Sequence, residues 1–229
     1  MESQVPKTVS PLEAILGIIV TFFLAIFLGA AILLFMGMEQ GYGPTLVIGE
    51  LIILLVPLIF MLFKHVNIRS FARVDLKPKF VVAGLASGFA LLALNIAVST
   101  LLTSVFGSSP TVEEANANLL KTAGTNIGLI LVATSLILAG VCEEFAFRGF
   151  LQSALTRGVP RKYGAVAAIL LSSLAFGIFH FDPYWVYTLS AFISGLALGL
   201  IYYRWGYVAS ATAHATMNML VLALLLLGL

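Results

Sequence analysis

The sequence predicts an all-α fold, a polytopic transmembrane helical bundle of about seven helices, with eight as the alternative count. Of its 229 residues, 61% are hydrophobic and only 10% are charged, a composition far outside the range of soluble domains. The apolar residues form runs of about twenty, the length that a helix needs to cross the hydrocarbon core of a bilayer. The predicted environment is therefore the lipid bilayer. The formal charge of +2, with no basic and aromatic stripe, gives no indication of a nucleic-acid partner.

Seven apolar runs are predicted as membrane-spanning helices, and the segment 107–125 is predicted as an external loop with a solvated face. We divide the chain into residues 1–125, which hold the first three spans and no recognised motif, and residues 126–229, which hold most of the strongly polar residues found within apolar spans. The predicted spans are 12–36, 44–63, 80–106, 126–156, 164–180, 185–204 and 207–228.

The charges of the loops alternate along the chain, which predicts the orientation. The loops 64–79, 157–163 and 204–206 are basic, whereas the loops around Glu39, around Glu113 and around Asp182 are acidic. The positive-inside rule places the basic loops and the N-terminus in the cytoplasm and the C-terminus outside. Aromatic residues near the span ends are predicted to lie in interfacial belts; they are Tyr184, Trp185 and Tyr187 on one side, and Tyr202, Tyr203 and Trp205 on the other.

Two glutamates and an arginine interrupt the apolar run 139–151. An ionised side chain at the centre of a membrane helix costs about 2.5 to 3.5 kcal/mol even on lenient insertion scales, so such residues usually face a protein interior or a water-filled cavity. On a helix, Glu144 and Arg148 lie four residues apart on one face and are predicted to pair. Glu143 has no basic residue at that spacing. It is left as a free carboxylate in a low-dielectric place, which suits a general base.

Further polar residues lie at helical spacing in the later spans. Phe176 and His180 are one turn apart, and so are His214 and Asn218. We expect these residues to share a site with Glu143, nearer the cytoplasmic side, if the segment 145–160 extends or bends. A buried glutamate can take a proton from water, His180 can hold that water, and His214 with Asn218 can donate hydrogen bonds to an oxyanion.

A metal-dependent version of this site stays open. It would use Glu143, His180 and His214 as ligands, a set that zinc accepts in catalytic sites. The HExxH spacing of many zinc hydrolases is absent from the sequence. Zinc or another divalent metal is therefore an alternative, and the prediction is that no cofactor is required.

Other polar residues receive structural interpretations. Glu50 lies near the outer end of its span and is expected to reach the interface, Asn95 is expected to bond between helices, and Cys142 is expected to be an inert buried thiol. For the whole chain, a membrane scaffold that uses the polar groups only for packing is the second hypothesis. A proton-coupled transporter is the third, although no inverted repeat supports it.

Three ordered motifs resemble those of one known family. EExxxR at 143–148, FxxxH at 176–180 and HxxxN at 214–218, within apolar helices, resemble the CAAX protease and bacteriocin-processing (CPBP) family of intramembrane endopeptidases, which are related to the CAAX prenyl endopeptidase. The resemblance covers roughly residues 126–222. It implies that Glu143 activates water with help from His180, and that His214 and Asn218 stabilise the oxyanion. Glu144 and Arg148 would then have structural, supporting roles.

The resemblance also implies a class of partner. The family, first described as metallo-dependent and later as glutamate-dependent, cleaves membrane-bound proteins or peptides, some of them lipidated, while some prokaryotic members are linked to bacteriocin immunity. A short chain without long loops is typical of a prokaryotic, multi-pass cell-membrane member. The alternative is a non-proteolytic scaffold or an immunity-type protein.

Overall fold

The computed structural model describes residues 7–228, apart from the side chain of Arg161, and every regular element in this part of the chain is a helix. The predictions of a cytoplasmic N-terminus and an outer C-terminus concern residues 1–6 and Leu229. These residues lie outside the described part of the chain. The elements are α1 (Pro11–Phe63), α2 (Ile68–Phe71), α3 (Pro78–Phe106), α4 (Pro110–Ala123), α5 (Asn126–Glu144), a π-helix (Phe145–Gln152), α6 (Ser153–Gly158), α7 (Arg161–Phe179), α8 (Val186–Trp205) and α9 (Tyr207–Leu226).

Helix α1 is a hairpin of two membrane-length halves. It begins at a capping box in which the Ser10 side chain and Glu13 bond to each other's backbone N–H groups, and it breaks at Gly37, where φ is 75°. The Lys64 Nζ atom, just past the end of α1, lies 2.6 Å from the Glu13 Oε1 atom, so the two ends of the element meet. The predicted first two spans are thus present, but the break is shorter than the predicted gap of 37–43.

The structure supports a polytopic bundle close to the predicted count. Among the described residues, six helical segments are long and apolar enough to cross a membrane when α1 is counted once. Counting the two halves of α1 separately gives seven. The fold class predicted from the sequence is confirmed, because the described residues form an all-helical, multi-pass bundle.

The prediction of a loop over 107–125 is wrong, because most of this segment forms α4. Pro110 occupies the first turn of the helix, where its missing N–H is harmless, and the Ser109 hydroxyl accepts a hydrogen bond from the Val112 N–H. Because α4 mixes polar and apolar residues, it contains no long apolar run that would indicate a helix in the sequence. Glu113 and Glu114 are exposed on it, as predicted.

Small residues let the helices around the site approach closely. Gly84 and Gly88 of α3 lie against α9, where an added Cβ would meet Thr212 and Thr216. Gly140 of α5 lies directly against the backbone of Ala215 on α9. These contacts bring α5, which carries the two glutamates, against α9, which carries His214, and join the N-terminal spans to the rest of the bundle.

Candidate active site

The helix that carries the two glutamates changes its winding directly after them. α5 ends at Glu144, and the π-helix Phe145–Gln152 continues the chain before α6. All eight residues of the π-helix are buried. The segment 145–160, which was expected to extend or bend, continues the helix as far as Gly158, and its first part is a π-helix, an uncommon conformation that often marks functional sites.

Arg148 is held by three groups within the bundle. Its Nε atom lies 3.4 Å from the Glu144 Oε2 atom, and both side chains have no exposed surface. Its Nη2 atom donates to the Gly195 carbonyl oxygen over 3.4 Å, and its guanidinium lies 4.6 Å from the centre of the Phe176 ring. The guanidinium is thus placed by a carboxylate, a carbonyl and an aromatic face.

Glu143 faces both histidines. Its Oε2 atom lies 3.8 Å from the His180 Nε2 atom and 4.0 Å from the His214 Nε2 atom. It is buried and accepts no hydrogen bond from the described residues. The three side chains come from α5, the C-terminal end of α7 and α9, so the fold brings together groups that are distant in sequence.

The His180 ring is oriented by its own helix. Its Nδ1 atom lies 2.8 Å from the Phe176 carbonyl oxygen, which can only accept, so Nδ1 carries the proton in the neutral ring. The Nε2 atom that faces Glu143 then has a free lone pair. Phe176 supports this orientation, because its ring centre lies 4.5 Å from that of His180 and 5.8 Å from that of His214.

His214 lies between the two glutamates. Its Nδ1 atom lies 3.3 Å from the Glu144 Oε1 atom, while its Nε2 atom faces Glu143. Asn218 lies one turn further along α9, and its amide Nδ2 donates to the Leu136 carbonyl oxygen over 3.2 Å. A primary amide has two hydrogens, so this bond leaves one N–H of Asn218 available.

A buried aspartate anchors the loop next to His180. The Asp182 carboxylate accepts from the Ser109 hydroxyl at 2.8 Å and from the backbone N–H groups of Tyr184 and Tyr187. Burial alone would raise the pKa of this carboxyl, but these donors outweigh it and hold the pKa below the ordinary value of 3.8. From the sequence, Asp182 was predicted only as part of an acidic loop. Its hydrogen bond to the Tyr187 N–H, which caps the start of α8, was not predicted.

A cavity of about 440 Å³ borders the site from the side of α4. Its walls include Asn218, Tyr187 and Asp182, together with apolar residues of α1, α4 and α9. The Tyr187 ring centre lies 5.3 Å from that of His180, so this residue packs beside the site as well as standing near a span end. Its assignment to an interfacial belt alone was therefore incomplete.

The polar residues given structural interpretations divide into two groups. Asn95 donates to the Ser190 hydroxyl over 3.2 Å between α3 and α8, and Cys142 is fully buried, both as predicted. Glu50 differs from its prediction, because its Oε2 atom is buried without a hydrogen-bond partner among the described residues. The expectation that it reaches the interface is wrong for this oxygen.

The spacing of the side chains around Glu143 bears on a metal-dependent site. Among the described residues, no group of three or more His, Cys, Asp and Glu side chains has an arrangement that could hold a metal ion. Two tetrahedral zinc ligands at their usual bond lengths lie about 3.4 Å apart. The spacings of 3.8 and 4.0 Å between Glu143 and the histidines are longer.

The fold and the site define a polytopic membrane protein that keeps two glutamates, two histidines and an arginine in its interior. Residues 125–220 match the family model described as Type II CAAX prenyl endopeptidase Rce1-like. This part of the chain matches the CAAX protease family, as the three motifs predicted, and it lies within a multi-pass membrane protein. No curated protein and no solved structure matches the chain.

Proposed function

We propose that the protein is an intramembrane endopeptidase in which Glu143 and His180 activate a water molecule. The observation that carries this proposal is the 3.8 Å spacing between the Glu143 Oε2 and His180 Nε2 atoms. It is too long for a direct hydrogen bond and suits one water that contacts both atoms. The lone pair on His180 Nε2 and the carboxylate both accept, so the water donates its two hydrogens to them.

The same geometry supports a route for the proton. Glu143 takes a proton as the water oxygen attacks the scissile carbonyl carbon. The Glu143 Oε2 atom is buried and has no hydrogen-bond partner among the described residues, so it is available to take this proton. His180 keeps the water aligned through its fixed ring orientation.

His214 and Asn218 are proposed to hold the oxyanion. The Glu144 carboxylate at His214 Nδ1 fixes the ring so that its Nε2 atom faces Glu143 and the proposed water. Asn218 offers its second amide N–H. Donors fixed in advance around the developing charge typically contribute about 10² to 10³ in rate each. Glu144 and Arg148 act here as supports for His214 and for the helix.

The substrate is proposed to be a membrane-associated protein or peptide, with or without a prenyl group. The bundle places Glu143 among membrane-length helices, so a substrate must itself reach into the bilayer region. A cofactor is not required by this mechanism. We propose that residues 126–229 carry out catalysis and that residues 1–125 form supporting spans.

The location is a further part of the proposal. We infer a multi-pass protein of a prokaryotic cell membrane, with the basic loops in the cytoplasm and the active site toward the cytoplasmic side. The alternation of basic and acidic loops supports the orientation. Labelling of single cysteines placed at exposed Lys77 and exposed Glu113, from either side of intact cells, tests it: only Glu113→Cys should react from outside.

The alternative is a scaffold or an immunity-type protein that uses these residues only for packing. Polar groups that serve packing are usually fully hydrogen-bonded. Here Glu143 Oε2, both Glu144 carboxylate oxygens and two Arg148 nitrogens have no well-formed hydrogen bond among the described residues. This favours the catalytic interpretation.

The experiment compares the termini of membrane proteins, read by mass spectrometry, in cells with the wild-type protein and in cells with Glu143→Gln. New termini that depend on the wild type would support the endopeptidase and identify its substrate. Identical termini, with both versions restoring the phenotype of a deletion strain, would favour the scaffold.

A further inference from the structure

Glu50 carries a partly buried carboxyl group that the water-activation mechanism does not use. It lies in the second half of α1, outside the stretch that matches the protease family. Its Oε2 atom is inaccessible and has no hydrogen-bond partner among the described residues. No ion pair within the described part of the chain involves it. An unpaired buried carboxyl group is costly, so its presence requires an explanation.

The packing of α1 on α5 places Glu50 beside the site. Gly43 lies against Leu131, whereas Ile53, ten residues later, lies in the same buried cluster as Cys142. The second half of α1 therefore runs parallel to α5. Residues 43, 46, 50, 53 and 57 form a helical stripe that faces this neighbour. Along this stripe Glu50 falls about one helical turn before the level of Glu143.

The charges around Glu50 agree with this position. The carboxyl groups of Glu50 and Glu143 lie within electrostatic range of each other, and Cys142 and Tyr187 are within range of both. Tyr187 also lines the cavity that borders the site. Leu46, one turn before Glu50 on the same stripe, lines this cavity too, and Ile53, about one turn after Glu50, packs in the buried cluster of Cys142.

We propose that Glu50 is a further catalytic residue, which holds a proton and gives it to the leaving nitrogen of the scissile bond. This inference rests on the proposed function. Two carboxyl groups that share a buried space are less costly when one of them is protonated, as in acid proteases that keep one proton between two aspartates. One carboxylate then acts as the base and the other as the acid.

The proton balance of the reaction closes with these two groups. Glu143 takes one proton from water as the water oxygen bonds to the carbonyl carbon. When the C–N bond breaks, its electron pair goes to the nitrogen, which receives the Glu50 proton, and the oxyanion reforms the carbonyl. The products are a carboxylic acid and an amine. The proton on Glu143 then passes to Glu50 and restores the starting state.

The test uses two synthetic peptides with the sequence of a junction that the wild type cleaves. One carries the normal scissile amide and the other an ester at the same bond. An amide nitrogen needs a proton to leave, whereas an ester oxygen leaves far more readily without one. We expect Glu50→Gln to lower kcat for the amide by about 10² to 10⁴, the usual contribution of general acid catalysis, and to leave ester cleavage within a few fold.

Three variants complete the design. Glu143→Gln should lose both substrates, because water activation is common to them. Thr45→Val, which removes a buried hydroxyl of α1 that has no hydrogen-bond partner among the described residues, should change neither. Glu50→Asp keeps an acid on a shorter side chain and should lose part of the amide rate only. It also serves as the test if Glu50→Gln does not fold.

Two results would overturn the inference while leaving the proposed function intact. They are a Glu50→Gln protein that cleaves the amide at the wild-type rate, and one that loses amide and ester equally, which indicates a structural role. A wild type that cleaves neither peptide, although its cells show the matching new terminus, would remove the proposed function and this inference together.

Discussion

The Nδ1 atom of His214 lies 3.3 Å from the Glu144 Oε1 atom, so the second glutamate of the pair contacts a histidine as well as Arg148. Glu144 thereby connects the arginine on the π-helix to α9. Its neighbour Glu143 points to the opposite nitrogen of the same histidine. Two adjacent carboxylates thus have separate surroundings, as expected for side chains about 100° apart on a helix.

Breaking the buried pair should destabilise the protein strongly. Arg148→Ala leaves Glu144 without its cation in a fully buried place, a change that typically costs about 3 to 5 kcal/mol. Lys64→Ala is the matched control, because the Lys64–Glu13 pair is about one-third exposed and should cost only about 0 to 1 kcal/mol. Unfolding in detergent measures both. Equal stabilities of the two variants would contradict the assigned role of Arg148.

The close contact of α5 with α9 should be sensitive to one methyl group. A Cβ at Gly140 would run into the backbone of Ala215, next to His214, so Gly140→Ala should shift α9, lower the stability and reduce cleavage. Gly49→Ala is the control. Nothing lies within 4 Å of the added carbon there, and removing a helical glycine usually stabilises by about 0.4 to 1 kcal/mol. A fully active and stable Gly140→Ala protein would show that this contact is not needed.

The loop beside His180 should loosen in acid. Because the folded state holds the pKa of Asp182 below 3.8, its contribution to stability is complete above that pH and is lost as the pH falls through the lowered pKa. The melting temperature of the wild type should therefore decrease below this pH. The melting temperature of Asp182→Asn should fall less over the same pH range. Glu114→Gln alters an exposed carboxylate of α4 and is the control. An unchanged acid profile in Asp182→Asn would argue against the capping role.

Removal of divalent metals should leave cleavage intact. The proposed mechanism assigns the activation of water to Glu143 and His180, whose spacing is longer than that of two zinc ligands. Dialysis against a strong chelator, with metal content measured by mass spectrometry, checks this. Loss of activity that returns on addition of zinc would instead favour the arrangement with Glu143, His180 and His214 as ligands.

Local sequence predicted the features that depend on the length of apolar runs and on ionisable residues within those runs. The spans follow from apolar runs, and Glu143, His180 and His214 stood out because ionisable groups are costly in such runs. That these three meet was an inference from their number, and the structure brings each histidine within 4.0 Å of Glu143.

Other features depend on packing, which local sequence does not show. α4 is short and mixed in composition, so its helical start at Ser109 and Pro110 was the only available signal. The π-helix has no distinctive composition. Glu50 lies near the outer end of its predicted span, and only the packing of α1 on α5 places it beside the helix that carries Glu143. The spacing of Gly43, Leu46, Glu50 and Ile53 along one face was the signal that could have indicated this.

The central claim is that Glu143 is the base that activates water. The most direct measurement compares the rates at which purified wild-type and Glu143→Gln proteins, reconstituted in lipid, cleave a peptide with the sequence of the cleaved junction. The melting temperatures of the two proteins are measured first and must be equal. Glutamine has nearly the same shape and cannot accept the proton, so the rate should fall by about 10² to 10⁴ with folding unchanged. A folded Glu143→Gln protein that cleaves at the wild-type rate would contradict the account.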